Sequence, residues 1–175
     1  EEGVFHESLD FASLKNLKIL FVCENNFYSV YSPMNVRQFE NRSALNLAKS
    51  HGLQGNRGDG SSIIEVIKKT KNGINYIKKN KKPFFLEFQT YRFIEHCGPN
   101  NDDNLKYRDK SEIEKWLDKD PIKLIEKYMS KKNKKFIFEK EKIISKINLE
   151  IKKYFNYAKN SKFPSSKRLK EHLYG

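Results

Sequence analysis

Cysteine is scarce: Cys23 and Cys97 are the only two in 175 residues. Two thiols supply neither a disulfide framework nor a zinc ribbon. A reducing compartment, here the cytoplasm, is therefore the expected location. No apolar run approaches the ~18 residues that a membrane helix requires, which excludes a transmembrane helix. The first residues, Glu1-Glu2-Gly3-Val4-Phe5, lack the layout of a signal peptide and lack an initiator Met. The segment is thus expected to start within a longer reading frame. Acidic residues are also under-represented, 22 against 35 Lys and Arg, giving a net charge of +13. Few of these cations are Arg, the residue suited to bidentate contacts with bases and phosphates. The lysines fall in pairs such as Lys68-Lys69, Lys78-Lys79, Lys131-Lys132 and Lys152-Lys153, mixed with Glu and Asn on helical segments. With no nucleic-acid motif beside them, they read as a solvated, compositionally biased surface.

What is present is a foldable chain. Thirteen Phe and nine Tyr, with several Ile-rich and Phe-rich runs, exclude disorder. Residues 7–14 end a helix. Residues 17–23 form a nearly continuous apolar run, expected as a strand buried on both faces, which stops at the polar turn Glu24-Asn25-Asn26. Residues 29–37 read as a loop containing Pro33, and residues 43–50 as a short helix. Residues 53–60, with three glycines, read as a short strand and turn. Ser61-Ser62 cap a helix to about Lys79 that buries Ile63, Ile64, Val66, Ile67, Ile74 and Ile77. Pro83 opens a second buried strand over residues 84–91. This alternation of helix and strand is α/β with a parallel sheet.

Residues 95–108 form a long polar loop, and loops of that length are commonly functional. Ser111-Glu112-Ile113-Glu114 reads as a capping box, and Asp120-Pro121 opens a further helix. Residues 136–158 carry Ile143, Ile144, Ile147, Ile151, Tyr154 and Phe155 at helical spacing. The tail from residue 163 reads as loop plus a short segment. The expected organisation is residues 1–94 as an α/β module, 95–110 as a loop, and 111–175 as a helical tail.

Two local matches carry nothing. Arg57-Gly58-Asp59 spells an integrin tripeptide by chance, and Gly58-Asp59-Gly60 reads as a turn ahead of a helix cap. His6, His51, Cys23 and His172 have no partner at a metal-binding spacing.

Other matches act together. Cys23-Glu24-Asn25-Asn26-Phe27-Tyr28 follows one strand, and Thr90-Tyr91-Arg92 with His96 follows the next. Tyr107-Arg108 and Asp120-Pro121-Ile122 come after. In order and in kind these resemble the α subunit of thiamine-diphosphate-dependent 2-oxo acid dehydrogenases, the E1 component of pyruvate and branched-chain complexes. Glu2-Gly3-Val4-Phe5-His6-Glu7 looks like the helix entered just after that family's Gly-Asp-Gly. The resemblance covers nearly the whole chain, most firmly residues 1–123.

The resemblance implies thiamine diphosphate and Mg²⁺ as cofactors. It implies decarboxylation of a 2-oxo acid and transfer of the acyl group to a lipoyl-bearing E2. It also implies an E1 β subunit as partner, in an α2β2 assembly, with no nucleic-acid or membrane partner. By similarity Asn26 is a Mg²⁺ ligand, and Tyr28 supplies a main-chain oxygen. His96 matches the active-site histidine that handles protons near the thiazolium. Arg92 orients the loop, neutralises phosphate charge, or serves as a structural ion-pair residue. Tyr107 and Arg108 match the far anchor of the loop.

The chain departs from that pattern in three ways. The family's Gly-Asp-Gly aspartate, itself a metal ligand, would precede Glu1, so the segment alone is expected to be inactive and to bind cofactor poorly. Ile94 and Cys97 replace a His and a phosphorylatable Ser. About two extra residues precede Tyr107. Two competing hypotheses are an inactive relic that retains β-subunit contacts, and a basic nucleic-acid-binding module. Upstream coding sequence tests the first, and salt-dependent RNA binding tests the second.

Overall fold

The computed structural model describes residues 2–171; His172 lies outside them. The chain divides into two compact units, residues 1–127 and residues 128–175. The first is α/β. Its elements are α1 (Gly3–Leu14), β1 (Leu20–Asn25), a small β2–β3 hairpin (Tyr28–Ser29 and Ser32–Pro33), α2 (Ala44–Ser50), β4 (Gln54–Asp59), α3 (Ile63–Asn80), β5 (Phe84–Gln89) and α4 (Lys110–Leu117). Helix α5 (Pro121–Lys132) runs across the boundary in sequence, and α6 (Phe136–Asn160) fills most of the second unit.

β1, β5 and β4 form a parallel sheet in that order, so the last strand in sequence lies at the centre. The register sets Cys23 and Arg57 on either side of Glu87, and Asn25 and Asp59 on either side of Gln89. Side chains alternate between faces along a strand, and β5 uses both. Phe85 packs with Leu9 of α1, Leu45 and Ala48 of α2, and Leu53. Phe84, Leu86 and Phe88 pack with Ile77 of α3 on the opposite face. Gly73 lets α3 approach the sheet, because a Cβ there would lie 3.0 Å from both Leu20 and Phe84.

Several expectations need correction. The first strand begins at Leu20 and continues through Asn25, so Glu24 and Asn25 belong to the strand rather than to a turn. It is not buried on both faces: it lies at an edge of the sheet, and Val22 is 53% exposed. On α3 only Gly73 and Ile77 are buried, while Ile63, Ile64, Ile67 and Ile74 stay exposed. A three-stranded sheet covers only a narrow stripe of that helix. The capping box at Ser111 does not form: α4 starts at Lys110 with Asp109 at its N-cap. The cap of α3 does form, with Ser62 Oγ accepting from Glu65 N. Asp120 likewise accepts from Ile122 N and Lys123 N. No residue of α6 is buried.

Candidate functional site

The carboxyl end of β1 closes into two overlapping turns. Asn25 Oδ1 accepts the Phe27 N–H at 3.0 Å, and Asn26 Oδ1 accepts the Tyr28 N–H at 3.0 Å. Short polar side chains capture a backbone amide two residues on in this way. Phe27 takes a φ of 65°, in the left-handed region. The carbonyl of Phe27 accepts from Met34 N, and the register partner of Tyr28 is Pro33. Proline has no N–H, so Pro33 cannot occupy the Tyr28 carbonyl. Gln89 at the end of β5 lies beside Asn25, and the carbonyl of Asn25 accepts from Thr90 N.

A cavity of about 520 Å³ opens at this end of the sheet. Its lining includes Asn25, Asn26, Tyr28, Arg57, Glu87 and Gln89. Glu87, only 1% exposed, is the buried charge among its lining residues. Glu87 Oε2 accepts from Arg57 Nη2 and Nε at 3.0 and 3.2 Å, and from Leu45 N at 3.1 Å. Glu87 Oε1 accepts from Asn25 Nδ2 at 3.0 Å. Arg57 Nη2 also donates to Ser43 Oγ, the N-cap of α2. Burial, and then the Glu87 charge, push the Cys23 thiol up.

Arg92 and His96 lie in a second group outside the cavity lining. Arg92 Nη2 donates to the Val30 carbonyl at 2.7 Å and to the Tyr107 hydroxyl at 2.9 Å. Its Nε donates to the Ile94 carbonyl, and its Nη1 lies 3.2 Å from His96 Nδ1. The guanidinium therefore ties the loop to the β2–β3 hairpin. His96 is exposed. Arg108 anchors the far side of the loop: it is buried, pairs with Asp102 and Asp103, and donates to the Arg92 carbonyl. Tyr107 donates to Asp102 Oδ2 at 2.6 Å. Tyr28 donates to Glu112 of α4 at 2.8 Å, and burial followed by that carboxylate pushes its phenol up.

The residues singled out from sequence thus form two pairs. Asn26 and Tyr28 share one turn at the cavity, and Arg92 and His96 share one loop tied to the adjoining hairpin. Sequence reading missed the Arg57–Glu87 pair. Its only signal was an acidic residue inside the apolar run Phe85-Leu86-Glu87-Phe88, which demands a buried partner. It also missed His6 and His51, whose ring nitrogens lie 3.1 Å apart, with His51 also bonded to Asp10. Among the described residues no group of three or more His, Cys, Asp or Glu side chains is placed to hold a metal. No helix among them is long and apolar enough to cross a membrane.

Residues 1–167 match the family model described as dehydrogenase E1 component. Pyruvate dehydrogenase E1 component subunit alpha of Rickettsia bellii is 27% identical over 173 residues, covering 99% of this chain and 52% of that relative. The mitochondrial 2-oxoisovalerate dehydrogenase subunit alpha of Caenorhabditis elegans is 31% identical over 132 residues, 75% of this chain and 30% of that protein. The corresponding subunit of Bacillus subtilis is 28% identical over 128 residues, 73% of this chain and 38% of its own length. The chain spans about half the length of the first of these relatives. With a match that runs from Glu1 to Lys167, the chain belongs to the dehydrogenase E1 component family.

Proposed function

We propose that this chain is part of the α subunit of a thiamine-diphosphate-dependent 2-oxo acid dehydrogenase, working with an E1 β subunit in an α2β2 assembly and passing its acyl group to a lipoyl-bearing E2. The observation that carries this reading is the Asn25–Tyr28 turn. It sets one side-chain amide oxygen and one main-chain carbonyl at the mouth of a polar cavity, at the carboxyl end of a parallel strand. Open α/β sheets bind their ligands there.

The residues present suit the cofactor in part. Mg²⁺ takes hard oxygen ligands in near-octahedral geometry and is commonly shared between protein and phosphate oxygens. Asn26 Oδ1 has a lone pair left after accepting Tyr28 N, and Pro33 leaves the Tyr28 carbonyl undonated from its side. Asn26 and Tyr28 would hold the ion, and its remaining ligands would come from elsewhere in the assembly, the diphosphate and water. The bound cofactor supplies the carbanion chemistry. The chain's own contribution is to fix the turn, to line the cavity with the neutralised Arg57–Glu87 pair, and to hold the His96 loop through Arg92. His96 would serve as a proton donor or acceptor toward the reacting substrate.

The test uses the α chain containing this segment, co-purified with its β subunit. Calorimetry should show thiamine diphosphate binding that EDTA abolishes. Asn26→Ala should weaken it by tenfold or more, the effect of losing a contact to a charged group, about 1.5–3 kcal/mol. His96→Ala should leave binding intact and slow acyl transfer to a lipoyl acceptor. The 175-residue segment alone should show no turnover. An assembly that binds no thiamine diphosphate at saturating Mg²⁺ refutes the reading.

A further inference from the structure

We infer that Glu87 is a positioning residue that sets the orientation of the Asn25 carboxamide, and through it the turn that carries Asn26 and Tyr28. The inference deepens the functional reading above and rests on it for the turn's purpose. An ionised carboxylate only accepts hydrogen bonds. Whatever part of Asn25 faces Glu87 Oε1 must therefore be the NH₂ group, which donates across 3.0 Å. The second neighbour of that NH₂, Met34 Sδ at 4.0 Å, is also an acceptor. With the NH₂ fixed, Asn25 Oδ1 points the other way and accepts Phe27 N at 3.0 Å. That bond holds Phe27 at a φ of 65°, a conformation costly for a bulky side chain. The next amide, Tyr28 N, then falls on Asn26 Oδ1. Arg57 and Leu45 N hold the other carboxylate oxygen, so β4, β5 and the start of α2 jointly fix the end of β1.

A merely structural ion pair makes a different demand. Glu87→Gln keeps the volume, and its carbonyl oxygen still accepts from Arg57 and Leu45. Its NH₂ must then face Asn25. Asn25 turns its oxygen to meet it, and its own NH₂ is left opposing Phe27 N, donor against donor. Asn25→Asp alone sets two carboxylates face to face. The double variant Glu87→Gln/Asn25→Asp exchanges the two groups: the Gln NH₂ donates to the new carboxylate, whose other oxygen accepts Phe27 N. Both single changes should therefore fail, and the pair should recover.

The experiment has two readouts. Amide hydrogen exchange at Phe27 and Tyr28, measured on the 175-residue chain and on the α–β assembly, reports the turn without any cofactor. Glu87→Gln should speed it about tenfold or more, and the double variant should return it near wild type. Calorimetric thiamine diphosphate affinity in the assembly with Mg²⁺ should follow the same order, with a loss of tenfold or more in each single variant. Should either single variant fail to fold, Asn25→Ala removes the carboxamide and leaves the Arg57–Glu87 pair alone. It should release the Phe27 amide to the same extent. Unchanged exchange in Glu87→Gln or Asn25→Ala overturns the inference, as does a double variant no better than the singles. Exchange protection that is lost in the single variants and recovered in the double one, together with a wild-type assembly that binds no thiamine diphosphate, supports the inference and refutes the functional reading instead.

Discussion

Tyr91 opens the loop that bears Arg92 and His96, and its hydroxyl makes a quantitative prediction. The ring is 7% exposed, stacks on Trp116 at 5.2 Å with an interplanar angle of 5°, and meets the edges of Tyr28 and Phe93. The Arg108 guanidinium sits 5.6 Å from its centroid. Its hydroxyl makes no hydrogen bond of good geometry among the described residues, although the Arg108 guanidinium lies close enough to favour its ionised form. Burial, and then the Glu112 carboxylate, push the phenol up to about 12 against the Arg108 charge, from an ordinary value of 10.0. The folded state therefore keeps a proton that the unfolded state releases. The corresponding stability is fully present below pH 10 and is lost as pH rises through about 12. Each pH unit of displacement is worth about 1.4 kcal/mol, so the loss approaches roughly 2 kcal/mol by the upper end of that window. Tyr91→Phe removes this limb. At neutral pH it also removes a buried polar group without a partner, a cost of about 1–3 kcal/mol, so the variant should match or exceed wild-type stability.

The assay is urea unfolding of both proteins by circular dichroism from pH 7 to 12. Subtracting one series from the other cancels the titration of the lysines and leaves, besides the Tyr91 limb, only the part of the Tyr28 displacement that the Tyr91 charge causes, which has the same sign. The stability of wild type minus variant should fall steadily above pH 10. A flat difference across that range, or a Phe variant more than about 1 kcal/mol weaker at pH 7, would refute the reasoning.

Arg92→Met should free the loop without unfolding the sheet. The lost charged contacts to Val30, Ile94 and Tyr107 are worth about 2 kcal/mol together, so trypsin should cut at the exposed Lys106 about 30-fold faster while the thermal midpoint stays put; unchanged cleavage would contradict the tethering role. Gly55→Ala should cost about 2–3 kcal/mol in chemical denaturation. Its Cβ would lie 2.5 Å from the Phe85 carbonyl and 2.7 Å from Leu45. Gly3→Ala, with nothing nearer than Glu7 at 3.8 Å, should be neutral or better. Iodoacetamide at pH 7.5 should label the exposed Cys97 well before Cys23, by tenfold or more in mapped mass spectra, because burial and Glu87 keep the Cys23 thiol protonated. Equal labelling would show that β1 opens freely.

Much of this was legible in the chain itself. The apolar run at residues 84–88, the caps at Ser62 and Asp120, and the polar Asn25-Asn26 pair that ends a strand each depend on a few neighbouring residues and one backbone period. Their outcome is set locally. Family membership was legible too, because the order of short motifs survives in sequence. The sequence did not disclose that β5 lies between β1 and β4, that the isoleucines of α3 outnumber the places the sheet offers them, or that Asp109 rather than Ser111 takes the N-cap position of α4. Nor did it disclose that Arg57 reaches Glu87, or that His6 meets His51. Those facts depend on which strands and helices become neighbours. A buried carboxylate within an apolar run announces that it needs a partner. Only the packing of β4 against β5, with the end of β1 on the other side, decides that the partners are Arg57 and Asn25, because a hydrogen bond is made by distance in space and not by separation along the chain.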